Sequence, residues 1–218
     1  MAKLHFKYGA MNSGKTDVLI KTAYNYTEND LKVIVIKPSI DVKGGDQIVA
    51  RCGNRRQVNI MAYPETNIRT ALSDYVKNNQ IDKLSCILVD ESQLLTGDQV
   101  DQLFEIAKQD NISVICYGLR SDFRTNLFPG SKRLFELADN IEKLPTMCAC
   151  GSQAEFNCRK KGNDFVFEGE QVAIDGEGDI AYESLCGKCY SMKKQASMNK
   201  TQQSETENGR ILRTEIEG

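Results

Sequence analysis

Gly9-Ala10-Met11-Asn12-Ser13-Gly14-Lys15-Thr16 fits the pattern G-x-x-x-x-G-K-[ST], and its flanks give the pattern a mechanism. Before it, the alternating run Leu4-His5-Phe6-Lys7-Tyr8 predicts a strand. After it, the apolar stripe in Asp17-Val18-Leu19-Ile20-Lys21-Thr22-Ala23-Tyr24 predicts a helix. A Gly-rich turn between strand and helix points backbone N–H groups at a polyphosphate lying at the helix N-terminus. Lys15 can then reach the β- and γ-phosphates, and the Thr16 hydroxyl can ligate Mg²⁺. A glycine turn alone is often only a turn. Strand, loop, Lys-Thr and helix together predict a nucleotide site.

The remaining apolar runs extend that unit into a sheet. Val33 to Ile36, Cys86 to Asp90 and Ile112 to Tyr117 are continuous and β-branched, as strands buried on both faces should be. Helical patterns around Thr66 to Asn78 and Gln99 to Gln109 separate them, and Ile141 to Leu144 offers one further strand. Strands alternating with helices predict an α/β core with a mainly parallel sheet. Near Pro145 the texture changes to clustered cysteines and frequent glycines. The expected organisation is an α/β nucleotide-binding domain over 1–144, a small zinc-binding domain over 145–190, and a tail over 191–218. The tail's Lys, Gln, Ser, Asn, Thr and Glu content predicts disorder.

Composition narrows the function. The 218 residues carry a formal net charge of −2 and are 40% hydrophobic, ordinary globular material without a dominant basic face. That argues against a dedicated nucleic-acid or anionic-membrane binder. No apolar run approaches a membrane span, and eight cysteines without an export signal predict a reducing, cytoplasmic setting.

Leu88-Val89-Asp90-Glu91-Ser92-Gln93 is the second chemical signal. An acidic residue ending a buried strand lies at the carboxyl edge of the sheet, where α/β proteins bind ligands. There Asp90 can hold the Mg²⁺ that bridges the phosphates. Successive strand residues face opposite ways, so Glu91 is free to take a proton from an attacking nucleophile. The doublet serves a kinase or an ATPase equally well, because Glu can orient water as easily as a hydroxyl.

Cys148-x-Cys150 and Cys186-x-x-Cys189 form two close pairs with a long insert, as in zinc ribbons. Two tight turns of thiolates can close a tetrahedral site and staple a unit too small for its own core. Four independent buried thiols are the plainer reading. Cys86 and Cys116 sit within the strand runs and are expected in the core.

Taken in order, these motifs and Tyr117-Gly118-Leu119-Arg120-Ser121-Asp122-Phe123-Arg124 resemble the zinc-containing type II thymidine kinases over roughly residues 1 to 190. The resemblance implies a P-loop NTPase-type, RecA-like domain with a zinc-ribbon lasso. It also implies transfer of the γ-phosphate of ATP to the 5′-hydroxyl of thymidine, and deoxyuridine is a further candidate substrate. Glu91 matches the family's general base. Gly9 to Thr16 with Asp90, Glu91, Ser92 and Gln93 match its phosphate site. Met11, Leu119, Phe123, Phe128, Val172, Ile174, Gly176 and Tyr182 match its nucleoside site. Structural Zn²⁺ on the four cysteines, Mg²⁺ on Thr16 and Asp90, a homotetramer and feedback inhibition by dTTP come with the family. Asp41-Val42-Lys43 departs from its Asp-x-Arg pattern, losing arginine's bidentate grip on phosphate. The competing class is a nucleic-acid-stimulated P-loop ATPase with a zinc ribbon. The acidic balance and the lack of an aromatic-and-basic strand-binding run weigh against it.

Overall fold

The computed structural model describes residues 1–171 and 179–200. Two compact units divide the chain. Met1–Ser121 joins Asn126–Thr146, and Asp122–Thr125 joins the segment from Met147 onward.

In the first unit the elements run β1 (Leu4–Tyr8), α1 (Lys15–Glu28), β2 (Lys32–Pro38), β3 (Gln47–Val49), β4 (Arg55–Gln57) and β5 (Ile60–Ala62). They continue with α2 (Ile68–Asn78), β6 (Leu84–Val89), α3 (Gly97–Gln109), β7 (Ser113–Gly118), α4 (Pro129–Leu137) and β8 (Asn140–Lys143). Six strands pair in the order β5-β2-β6-β7-β1-β8, and every pairing is parallel. The apolar runs of β2 and β6 are covered on both faces, as the unbroken pattern requires. Ile34, Ile36, Ile87 and Val89 pack with Val100, Leu103 and Ile106 on one side. Val35 and Leu88 pack with Leu19, Ala23 and Tyr117 on the other. A strand's period of two places neighbours in opposite layers.

Local signals start the helices. Thr96 caps α3 by accepting from the Gln99 N–H, while the Gln99 side chain accepts from the Thr96 N–H. That reciprocal pair contributes roughly 1 kcal/mol. Asn67 caps α2 by accepting from Thr70 N. The elements that periodicity does not announce are short. They are α4, which opens on Pro129, the hairpin of β3 and β4, and the edge strand β5. No helix among the described residues is long and apolar enough to cross a membrane.

The second unit is a three-stranded antiparallel sheet of β9 (Phe156–Lys161), β10 (Asp164–Val166) and β11 (Ile180–Leu185), with β9 central. Its core is small: Cys148, Ala154, Cys158, Leu185, Cys186 and Tyr190, with Phe156 and Phe165 packed around them. A helix over 187–200 follows. The expectation of disorder from Ser191 therefore fails for 191–200. Composition there favours a helix once one end is fixed, since Lys, Gln, Met and Ala are strong helix formers. Tyr190 fixes that end in the core, Ser197 Oγ donates to Phe165 O at 3.2 Å, and Lys193 Nζ lies 4.9 Å from the Phe165 ring centroid. The rest of the tail, 201–218, lies outside the described residues.

Candidate active site

β1 ends at Tyr8, and the loop from Gly9 to Gly14 delivers the chain into α1. Gly9 N donates to Gly118 O at 3.2 Å, pinning the loop's start to the end of β7. Gly14 caps α1 at φ 73°, a left-handed conformation that costs glycine nothing. Lys15 is buried, and its Nζ donates back to Ala10 O at 3.0 Å and Gly9 O at 3.3 Å. Burial lowers the Lys15 pKa from its ordinary value, opposed by the negative charges of Glu91 and Asp90. The ammonium thus rests on the loop carbonyls.

β6 lies one strand away from β1, with β7 between them, and both end at the same edge. Thr16 Oγ1 donates to Asp90 Oδ2 at 3.1 Å. Burial above all, then the neighbouring Glu91 charge, pushes the Asp90 carboxyl up from its ordinary value. A hydroxyl and a buried carboxylate side by side are the hard oxygen donors that Mg²⁺ selects. The donor set fits that ion.

The strand stops at Val89, so the doublet is not extended as the sequence suggests. Glu91 sits at φ 46°, ψ 37°, and a single 3₁₀ turn, Ser92–Leu94, follows it. That left-handed conformation, rather than strand alternation, sets the backbone at Glu91. A non-Gly residue there stores strain on the order of 1–3 kcal/mol, as residues at reactive sites often do. Gln93 holds the arrangement. Its Nε2 donates to Glu91 Oε2 at 2.5 Å, and its Oε1 accepts from Leu119 N at 3.0 Å. Ser92 Oγ donates to Tyr117 O at 2.9 Å, fastening the turn to β7. Gly118 leaves room for this packing: a Cβ there would lie 2.7 Å from Ser92 Oγ and 2.8 Å from Gln93 Oε1.

The predicted phosphate residues are therefore brought together in the first unit, and Leu119 joins them through Gln93. Leu119 O accepts from Ser131 Oγ at 2.5 Å, and Phe128 caps α4 with 6% exposure. Met11 is half-buried in the loop. Phe123 and Tyr182 belong to the second unit, where each meets Arg159. Val172, Ile174 and Gly176 lie outside the described residues. Lys43, the departure noted above, uses its backbone: Lys43 O accepts from the buried Lys37 Nζ at 2.5 Å, and Asp41 pairs with that same ammonium at 3.1 Å. The contact that periodicity misses is Asp17 at the start of α1, which accepts from Asn54 at 2.8 Å and from the exposed Cys52 at 3.0 Å. Neither Cys52 nor Asn54 stands in a pattern that would single it out.

The four predicted cysteines converge in the second unit, with all sulfurs within 4.8 Å of one another. Four thiolates about 2.3 Å from a tetrahedral zinc stand roughly 3.8 Å apart. Cys150 and Cys186 are 3.6 Å apart. The one-residue spacing of Cys148-x-Cys150 is accommodated by a turn in which Cys148 N donates to Ser152 O at 2.8 Å and Gly151 N to Cys148 O at 2.9 Å. The Ser152 backbone, then its hydroxyl, lowers the Cys150 thiol to about 6. Cys186, Cys150 and Cys148 in turn raise Cys189 to about 12. Elsewhere, burial raises Cys86 and Cys116, so both are unreactive strand-core thiols.

The family model described as thymidine kinase matches residues 2–190. A thymidine kinase of Mannheimia succiniciproducens is 40% identical over 188 residues, 85% of this chain and 93% of that protein. One from Chromobacterium violaceum is 41% identical over 192 residues, covering 87% and 98% of the two chains. One from Legionella pneumophila subsp. pneumophila is 43% identical over 188 residues, covering 85% and 88%.

Proposed function

The chain belongs to the thymidine kinase family, and from that premise we propose that it transfers the γ-phosphoryl group of ATP to the 5′-hydroxyl of thymidine. The observation that carries the chemistry is the meeting of Lys15, Thr16, Asp90 and Glu91 at one edge of the sheet.

Loop amides and the Lys15 ammonium bind the β- and γ-phosphates and stabilise charge as the phosphoryl group moves. Thr16 and Asp90 would hold Mg²⁺, which when bound would neutralise phosphate charge. Glu91, steadied by Gln93, accepts the 5′-hydroxyl proton as the oxygen attacks the γ-phosphorus. The bond from that phosphorus to the bridging oxygen breaks, and ADP leaves. Met11, Leu119, Phe123, Phe128 and Tyr182 are the proposed nucleoside residues, apolar and aromatic surfaces suited to a flat pyrimidine. Zinc on Cys148, Cys150, Cys186 and Cys189 would staple the second unit. A homotetramer, inhibition by thymidine triphosphate and a cytoplasmic setting complete the reading on the strength of family resemblance.

ADP release measured with thymidine, with single-stranded DNA and with neither tests the proposal. Thymidine alone should stimulate turnover, with thymidine 5′-monophosphate formed in step with ADP. Stimulation by DNA alone would replace the kinase with the nucleic-acid-driven ATPase, which the kinase relatives do not favour.

A further inference from the structure

Arg159 is a buried arginine that the phosphoryl-transfer scheme does not use. It lies on β9, the central strand of the second unit, opposite Tyr182 of β11 and Val166 of β10. Its neighbour Cys158 is fully buried in the cysteine-lined core, so Arg159 belongs to the opposite face of the sheet. Only 6% of the residue is exposed.

Three segments distant in sequence converge on its guanidinium. The Cζ lies 3.8 Å from the centroid of the Phe123 ring, which is 1% exposed. Nε donates to the Tyr182 hydroxyl at 2.8 Å, and Nη2 donates to Gln171 O at 3.3 Å. Gln171 Nε2 in turn donates to Asp122 Oδ2 at 3.3 Å, and Tyr190 OH donates to Phe123 O at 2.9 Å. Phe123 is therefore fixed through its ring by Arg159 and through its carbonyl by Tyr190.

A guanidinium is an expensive way to fill this space. Among the described residues a ring face, a phenol and a carbonyl meet it and offset part of its desolvation. An apolar side chain would pack at less cost but would leave the Tyr182 hydroxyl and Gln171 carbonyl without this donor. What the planar fork adds is direction. It stacks on one aromatic ring while its edge orients a second aromatic side chain.

We propose that Arg159 is a positioning residue for the nucleoside, setting the relation between Phe123 and Tyr182 without touching the phosphoryl-transfer groups. The proposal rests on the kinase reading above and deepens it. Arg159 thereby controls thymidine affinity and leaves ATP affinity alone.

The test compares Arg159→Lys, Arg159→Met and Tyr182→Phe in the full-length, zinc-loaded protein, reading KM for thymidine, KM for ATP and kcat separately. Arg159→Met should raise KM for thymidine about tenfold to a hundredfold, with KM for ATP within about twofold, because lost orientation is paid in nucleoside binding. Arg159→Lys keeps charge but not the fork, and should recover little of the loss. Tyr182→Phe removes one partner only. Combined with Arg159→Lys, it should cost less than the two effects multiplied, because both break the same contact.

Unchanged thymidine KM in Arg159→Lys, or equal losses for thymidine and ATP, would overturn the proposal. If Arg159→Met does not fold, the lysine and phenylalanine variants decide alone. Wild-type protein that makes no ADP in response to thymidine would instead sink the kinase reading itself. A wild type that responds, with indifferent Arg159 variants, sinks only the positioning role.

Discussion

Thr16 Oγ1 and Asp90 Oδ2 stand 3.1 Å apart although 74 residues separate them in the chain. That contact joins the first turn of α1 to the end of β6, where the proposed Mg²⁺ site would balance phosphate charge. Asp90→Asn keeps a hydrogen-bond acceptor for Thr16 but loses the charge. Its Mg²⁺ requirement should rise by at least about tenfold, the lower end of what losses beyond the ligand shell already cost. Turnover titrated against Mg²⁺ at saturating thymidine measures this.

The same substitution has an opposite consequence for stability. The folded-state pKa of Asp90 is raised, chiefly by burial, so the folded protein holds this proton to higher pH than the unfolded chain does. Stability attributable to Asp90 is therefore highest below the ordinary carboxylate value of 3.8 and falls as pH rises through the interval up to the raised value. In Mg²⁺-free buffer at neutral pH, Asp90→Asn should melt at or above the wild-type temperature, and the advantage should vanish in acid. A Tm well below wild type at neutral pH would show that the Thr16 contact outweighs the buried charge.

Glu91→Gln isolates proton transfer. The amide keeps the size and the contact with Gln93 but cannot take a proton. General base catalysis contributes roughly 10²–10⁴-fold, and kcat should fall by about that factor. Affinity for ATP should move little, since Lys15, Thr16 and Asp90 are intact. A near-normal kcat would place the proton acceptor elsewhere.

How much of this could be read from the sequence depends on range. The central strands β2, β6 and β7 were readable because burial on both faces leaves an unbroken apolar run, as at Val33 to Ile36, whereas the three-residue edge strand β5 was not. The phosphate loop was readable because its glycines and Lys-Thr are local chemistry at fixed spacing. The left-handed turn at Glu91 was not, because its cause is tertiary: Gln93 reaches Leu119, and Ser92 reaches Tyr117. The helix over 191–200 was missed for a similar reason. Its polar composition reads as solvated chain, and the anchor at Tyr190, the contacts to Phe165 and the Lys200–Asp164 pair that hold it are tertiary. Arg159 gave no local signal, since its partners come from three separate segments.

Removing zinc should unfasten the second unit. Its apolar core is small, and four converging sulfurs are left without the cation that would tie them. Cys186→Ser or chelation should lower its protection from amide exchange, most around β9 and β11, while the first unit keeps its protection. Metal content of one Zn²⁺ per chain is the companion measurement. Metal-free protein with native protection in β9 would refute the staple.

Gly118→Ala tests how tightly the turn that carries Glu91 is packed against the sheet. Gly118 ends β7, its carbonyl accepts from Gly9 N, and its Cα faces the turn that carries Glu91. An added Cβ would meet Ser92 Oγ at 2.7 Å, Gln93 Oε1 at 2.8 Å and Gln93 N at 3.1 Å. Two of those atoms are side-chain ends, but both are engaged, with Tyr117 O and Leu119 N respectively. Relief by rotation therefore breaks a buried hydrogen bond, and relief by translation moves the turn away from β7. Overpacking of this kind costs about 1–3 kcal/mol, which urea denaturation should read as a lower midpoint at unchanged slope. Because Gln93 also steadies Glu91, kcat should fall more than the affinity for ATP. An alanine variant with wild-type midpoint and kcat would mean that the turn has slack, and that Gln93 does not hold Glu91 in its working direction.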